Sequence, residues 1–158
     1  MVWSIISINK KGPLIFFDKC WSTNAKHTID SDVYIRYILP HVVSYQDAHR
    51  QDTGSNMIYM EDKSTIHTSK ATNAAEVALG INKVEWPANS PDLNPIENVW
   101  QILKYRLAKR FLKTDKEVRQ YLAEEWEKIS VEDYAKYIKS MRERCLAVIQ
   151  ANGYHTKW

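Results

Sequence analysis

Cysteine is scarce, at two in 158 residues. Cys20 and Cys145 are far apart and make no ligand spacing with the five histidines, which excludes a disulfide framework and a Cys/His zinc module. Both are expected to be buried thiols. Four glycines and five prolines are too few for a collagenous or low-complexity chain. No apolar run approaches the roughly 20 residues that span a bilayer, and the first residues lack a charged lead into a signal core, so no membrane partner and an intracellular site are expected.

What is present describes a folded domain. Hydrophobic residues make up 44% and charged residues 26% of the chain, and mean hydropathy is -0.48. A chain of this length buries roughly 68–70% of its unfolded surface. A net charge of +3 permits a polyanionic partner without identifying one. Its distribution says more: residues 101–113 carry Lys104, Arg106, Lys109, Arg110 and Lys113 and no acid. That is either a phosphate-facing surface or a solvated helix end whose cations complement the dipole.

Residues 2–8 are rich in β-branched side chains, 9–13 hold turn residues, and 14–17 are again apolar, so a β-hairpin is predicted. A chain that opens directly on a strand reads as one beginning inside a fold, with Met1 an internal methionine. Asp30 or Ser31 caps a predicted helix bearing Val33, Tyr34, Tyr37, Ile38 and Val42, which Pro40 ends or bends. Residues 44–55 read as loop, and 57–60 as a buried parallel strand with Asp62 just past its end, where open α/β sheets gather their ligands. Thr68 or Ser69 caps a helix carrying Ala71, Ala74, Ala75, Ala78 and Leu79, closed by Gly80. A short strand over 81–86 and a proline-bound loop over 87–94 follow. Three helices complete the chain: one over about 95–112, one opened by a Thr114/Glu117 capping box, and one opened by Ser130 and Asp133 that ends near Ala151. The order is mixed α/β with a helical C-terminal portion.

The most informative stretch is WPANSPDLNPIENVW, residues 86–100. Asn94 reads as an N-cap, Pro95 as the first helical residue and Glu97 as the third, so Glu97 can be a capping carboxylate reaching back to the Asn94 amide. Ile96, Val99, Trp100, Leu103 and Leu107 define the buried face, while Glu97, Gln101 and Lys104 form a stripe beside it. Asp92 is suited to organise the turn as an Asx residue. Trp86, Trp100 and Trp126 read as core. His67 either ties the loop after Asp62 or touches a phosphate path.

This stretch closely resembles the signature around the third catalytic acid of Tc/mariner superfamily transposases. Residues 61–67, EDKSTIH, are similar to the segment bearing their second acid, an Asp followed five residues later by His. The 34 residues between Asp62 and Glu97 match the Asp-Asp-Glu branch. The opening is similar to that domain's second and third strands, and residues 144–154 to its C-terminus. The resemblance departs at Lys63-Ser64-Thr65, where the family usually has Asn-Ala-Pro.

The resemblance implies a ribonuclease H-like mixed sheet flanked by helices, with a core over 1–112 and C-terminal helices over 113–158. Asp62 and Glu97 are implied as catalytic and metal-binding acids, with two Mg2+ (or Mn2+) ions. His67, Asp92 and Asn94 would support the site, and the basic residues of 101–113 would contact DNA, both transposon ends and target. Cut-and-paste transposition is the implied activity, with a homodimer allowed and the nucleus as location. The family's first strand, central in the sheet and carrying the first Asp, precedes the segment matching Met1. The 158 residues are therefore expected to be inactive and marginal in stability; Asp18 matches no catalytic position, and only activity without the missing strand would turn the search to a substitute acid, beginning with Glu61 and Asp18. The alternative is a non-catalytic DNA-binding or protein-interaction module derived from a transposase.

Overall fold

A computed structural model describes residues 1–22, 24 and 28–158. The chain divides into two units, one formed by Met1–Phe16 with Ser90–Trp158 and the other by Phe17–Asn89.

In the first unit the predicted hairpin forms, though it is shorter than the apolar runs. Strand β1 (Val2–Trp3) pairs antiparallel with β2 (Ile15–Phe16), Val2 opposite Phe16 and Trp3 opposite Ile15, and an isolated Ile6–Lys11 bridge continues the pairing. The turn is held by the Ser7 amide donating to the Lys10 carbonyl at 2.7 Å. Four helices follow: α1 (Pro95–Ala108), α2 (Asp115–Glu127), α3 (Val131–Lys139) and α4 (Met141–Gln150). The first stops at Ala108, four residues short of expectation. The expected third helix is two, broken at Ser140, whose hydroxyl donates to the Tyr137 carbonyl at 2.8 Å. Both capping boxes are present, at Thr114/Glu117 and Ser130/Asp133.

Val99, Leu103, Trp126, Ile129 and Tyr134 are the buried centre of this unit, with Ile96, Trp100, Leu122 and the hairpin residues Ile6 and Leu14 packed on it. Trp100 and Trp126 stack at 5.5 Å between centroids. Val99 and Leu103 are buried as expected, whereas Ile96, Trp100 and Leu107 lie at the core margin. Two side chains, Trp126 and Lys11, fasten the hairpin to the end of α2 and the residues just after it. The Trp126 indole donates to the Gly12 carbonyl at 3.0 Å, and the Lys11 ammonium donates to the carbonyls of Trp126, Glu127 and Ile129. A cation there meets the negative end of the helix dipole.

In the second unit, α5 (Ser31–Tyr37) is capped by the Asp30 carboxylate accepting from the Val33 amide at 3.0 Å. Pro40 lies in the first turn of α6 (Leu39–Thr53), where a missing N–H costs nothing, so it opens a helix and marks the break between two. The loop expected over 44–55 is therefore corrected: α6 runs to Thr53, and Gly54 closes it at φ 69°. Val42, Tyr45 and Gln46 keep the helical period on the buried side while the polar residues between them meet solvent.

A short turn of helix, α7 (Thr65–Thr68), precedes α8 (Lys70–Ala78), which Ser69 caps and Gly80 closes at φ 67°. On α8 the buried residues are Thr72 and Glu76, while Ala71, Ala74, Ala78 and Leu79 face outward. The strands expected over 57–60 and 81–86 reduce to one parallel bridge, Tyr59 with Lys83, in which the Tyr59 amide donates to Asn82 and the Val84 amide to Tyr59. Val33, Tyr34, Ile38, Leu39, Val42, Tyr45, Met57, Tyr59 and Ile81 form this unit's core. Each large apolar side chain so buried contributes about 1.5–3 kcal/mol.

Both cysteines are exposed, contrary to expectation: Cys20 sits in a 3-10 turn after Asp18, and Cys145 lies on the open side of α4. No helix among the described residues is long and apolar enough to cross a membrane.

Candidate functional site

Asp62 follows the Tyr59 segment in the second unit. Along 57–62 the pleat alternates: Met57, Tyr59 and Glu61 are buried, whereas Ile58 is 66% exposed and Asp62 is exposed. One Asp62 carboxylate oxygen accepts from the Ser64 amide at 3.0 Å and lies 2.8 Å from the His67 Nδ1. Burial pushes the Asp62 carboxyl up, but the Ser64 amide and the His67 ring outweigh it and hold it below the usual carboxylate range. His67 is largely covered, its ring 4.6 Å from that of Tyr34. It ties the loop after Asp62, the first of the two readings given for it.

Beneath this loop lies a buried polar cluster that sequence reasoning missed. Glu61 accepts from the Tyr34 hydroxyl at 2.5 Å and from the Lys83 ammonium at 2.6 Å. Lys83 also donates to Glu76 at 2.9 Å and to the His67 carbonyl at 3.1 Å, and the Tyr34 and Tyr59 hydroxyls meet at 3.1 Å. Burial, followed by a hydrogen bond to Glu61, raises Glu76 to about 7 despite Lys83. Burial pushes both tyrosine hydroxyls up, and the nearby carboxylates push them further. Strand alternation from Met57 was the available signal that Glu61 points inward.

Glu97 is in the first unit. Asn94 caps α1 as predicted, its side chain accepting from the Ile96 amide at 3.4 Å, and Pro95 takes the first turn. The capping reading of Glu97 is not realised: the Asn94 amide donates to the Pro91 carbonyl at 2.9 Å, which a 3-10 turn over Pro91–Leu93 makes available. Glu97 is half-buried, and its carboxylate has no hydrogen-bond or ion-pair partner among the described residues. Asp92 does not organise the turn locally. Its carboxylate accepts from the Thr156 amide at 2.7 Å and hydroxyl at 2.6 Å, and these bonds hold it below the usual range.

Of the five basic candidates, Lys104, Lys109, Arg110 and Lys113 are exposed. Arg106 is not free for phosphate: it pairs with Glu125 of α2 at 3.0 Å, an acid that no reading of 101–113 alone contains. Lys109 lies 4.0 Å from the Tyr105 ring centroid and Arg110 5.3 Å from that of Tyr121, and Phe111 is wholly exposed. The result is a cationic and aromatic surface at the end of α1.

The chain is mixed α/β, with Asp62 just past the Tyr59 bridge and Glu97 in the first turn of α1. The model of a DDE superfamily endonuclease matches residues 1–119, and the chain belongs to that family, within the Tc/mariner transposases. It is 38% identical over 109 residues to the transposable element Tc1 transposase of Caenorhabditis elegans, covering 68% of this chain and 40% of the relative. It is 32% identical over 158 residues to the Tcb1 transposase of Caenorhabditis briggsae, covering all of this chain and 54% of the relative. The chain thus spans about half, or less, of the length of these relatives. Among solved structures it is similar to the catalytic domain of Mos1 mariner transposase, with a TM-score of 0.76 at 19% identity over 99% of this chain and 82% of that one. It is also similar to the Mos1 catalytic domain with raltegravir and Mg (TM-score 0.74, 20% identity, 82% and 66% covered) and to the Mos1 paired end complex with Mn (0.73, 21%, 82% and 38%).

Proposed function

We propose that these residues are part of the catalytic domain of a cut-and-paste transposase, with Asp62 and Glu97 as two of its metal-binding carboxylates. The observation that carries the reading is the Glu97 carboxylate, half-buried at the start of α1 within the SPDLNPIE motif and used by no other group among the described residues. Asp62 complements it. The Ser64 amide and His67 hold it ionised and oriented, with its side chain 63% exposed. Carboxylate oxygens are the donors that Mg2+ and Mn2+ prefer. Two such cations, when bound, would activate a water or 3′-hydroxyl and stabilise the leaving oxygen of a phosphodiester.

The relatives named as transposases and the Mos1 structures with Mg and Mn support this reading. Residues 1–112 and 113–158 are read as the core and the C-terminal helices of one catalytic domain. DNA is the partner, with Lys104, Lys109, Arg110 and Lys113 facing phosphate. The nucleus is the location that this function implies, and a homodimer is compatible with it.

Two carboxylates are too few to fix two cations for in-line displacement, so the 158-residue polypeptide is expected to leave a transposon-end duplex uncut in Mg2+ or Mn2+. Fused behind a strand-bearing segment that supplies a further Asp, it should nick that duplex. Asp62→Asn or Glu97→Gln should abolish the nicking. Undiminished cleavage by either variant would remove that residue from the site.

A further inference from the structure

Arg144 lies on α4, beyond the 1–119 match, and its side chain has no exposure to solvent. A guanidinium taken from water costs several kcal/mol unless its donors are matched. Here Nε donates to the Ser140 hydroxyl at 2.9 Å, one terminal nitrogen to the Asp92 carbonyl at 2.7 Å, and the other to the Asn98 side-chain oxygen at 2.5 Å. Its Cζ lies 4.8 Å from the Trp158 ring centroid. All three acceptors are neutral, which makes a simple ion pair the wrong description of this residue.

What the fork does is geometric. One arm holds the turn before α1 and the other holds Asn98 inside its first turn, so the two arms bracket residues 92–98. Glu97 lies between them. The Asp92 carboxylate, left free of Arg144, takes both donors of Thr156, so the C-terminal segment closes over the same turn. A planar, always-charged fork spans two acceptors at fixed separation, which an ammonium cannot do.

We infer that Arg144, with Thr156, positions the Glu97 carboxylate: the C-terminal segment is part of the site's scaffold, fixing the first turn of α1 so that Glu97 is presented without a partner of its own. The inference rests on the reading of Glu97 as a metal ligand, and its test separates the two.

Hydrogen exchange on the full 158-residue chain reads the bracing without any metal. Arg144→Ala should speed exchange at the Asn94, Glu97 and Asn98 amides about tenfold or more while the α2 amides of the Thr114 capping box stay unchanged. Arg144→Lys should restore only part of the protection, and Thr156→Ala should show a smaller effect in the same direction. Mn2+ affinity, read by electron paramagnetic resonance, provides the second arm. Arg144→Lys should weaken it severalfold when Glu97 is present and have no effect in a Glu97→Gln background. Loosening confined to residues 154–158, or an equal Mn2+ loss in both backgrounds, would overturn the positioning role. If Glu97→Gln leaves Mn2+ affinity untouched, the ligand reading of Glu97 fails and the positioning inference falls with it, whereas the exchange arm still decides whether the turn is braced.

Discussion

The Lys83 ammonium sits 2.6 Å from the Glu61 carboxylate and 2.9 Å from that of Glu76, both of them almost wholly buried, and it also holds the carbonyl of His67. One cation thus bridges two acids and anchors the loop that orients Asp62. Its first consequence is for stability. Lys83→Met should cost about 3–5 kcal/mol, because it leaves the buried Glu61 and Glu76 carboxyls without their shared cationic partner. Urea unfolding measures this. Adding Glu61→Gln and Glu76→Gln should recover most of the loss, and a single-variant loss below about 1 kcal/mol would show that the cluster is wet.

The same cluster sets a pH dependence. Glu76 is raised from an ordinary 4.5 to about 7, so its folded form binds a proton that the unfolded form has released. Its contribution is fully present below pH 4.5 and is lost as pH rises towards 7, the folded state binding more protons across that window. The fall amounts to about 2–3 kcal/mol. Glu61, Lys83, His67 and the two tyrosine hydroxyls share the cluster, so the informative quantity is a difference. Unfolding free energies from pH 4.5 to 7.5 should fall more steeply for the parent chain than for Glu76→Gln, and parallel curves would contradict the shift.

Trp126 is the centre of the first unit's core, 1% exposed, stacked on Trp100 and bonded to the hairpin at Gly12. Trp126→Ala should destabilise by about 3–5 kcal/mol as a large-to-small core change. Trp126→Phe keeps most of the volume but removes the indole donor, leaving the Gly12 carbonyl with the Ser4 hydroxyl at 3.3 Å, a loss of about 1 kcal/mol. Trp100 lies at the margin and its replacement by Ala should cost less than that of Trp126. The reverse order in thermal or urea unfolding would show the core to be centred elsewhere.

The features legible in the sequence are local ones. Asn94 and Pro95 at the start of α1, Ser69 before α8, the two capping boxes and the left-handed Gly80 each depend on residues within about four positions. Asp62 and Glu97 came from short motifs of the same kind; Glu97 takes the first turn of α1 as read, whereas the strand expected before Asp62 is only the Tyr59 bridge. The hairpin was readable for a similar reason, since its turn and strands are adjacent.

Only the tertiary structure decided which polar groups are buried and with what. Glu61, Glu76 and Lys83 look like surface charges in the sequence, and each is covered because the others, with Tyr34 and Tyr59, satisfy it. Asp92 finds Thr156 across 64 positions, Arg106 finds Glu125 across 19, and α6 continues through a polar stretch because Tyr45 and Gln46 meet the core. A backbone cap is satisfied by its neighbours in the chain, so sequence suffices to write it. A buried charge is tolerable only when distant partners converge on it, and that convergence is a property of the folded molecule.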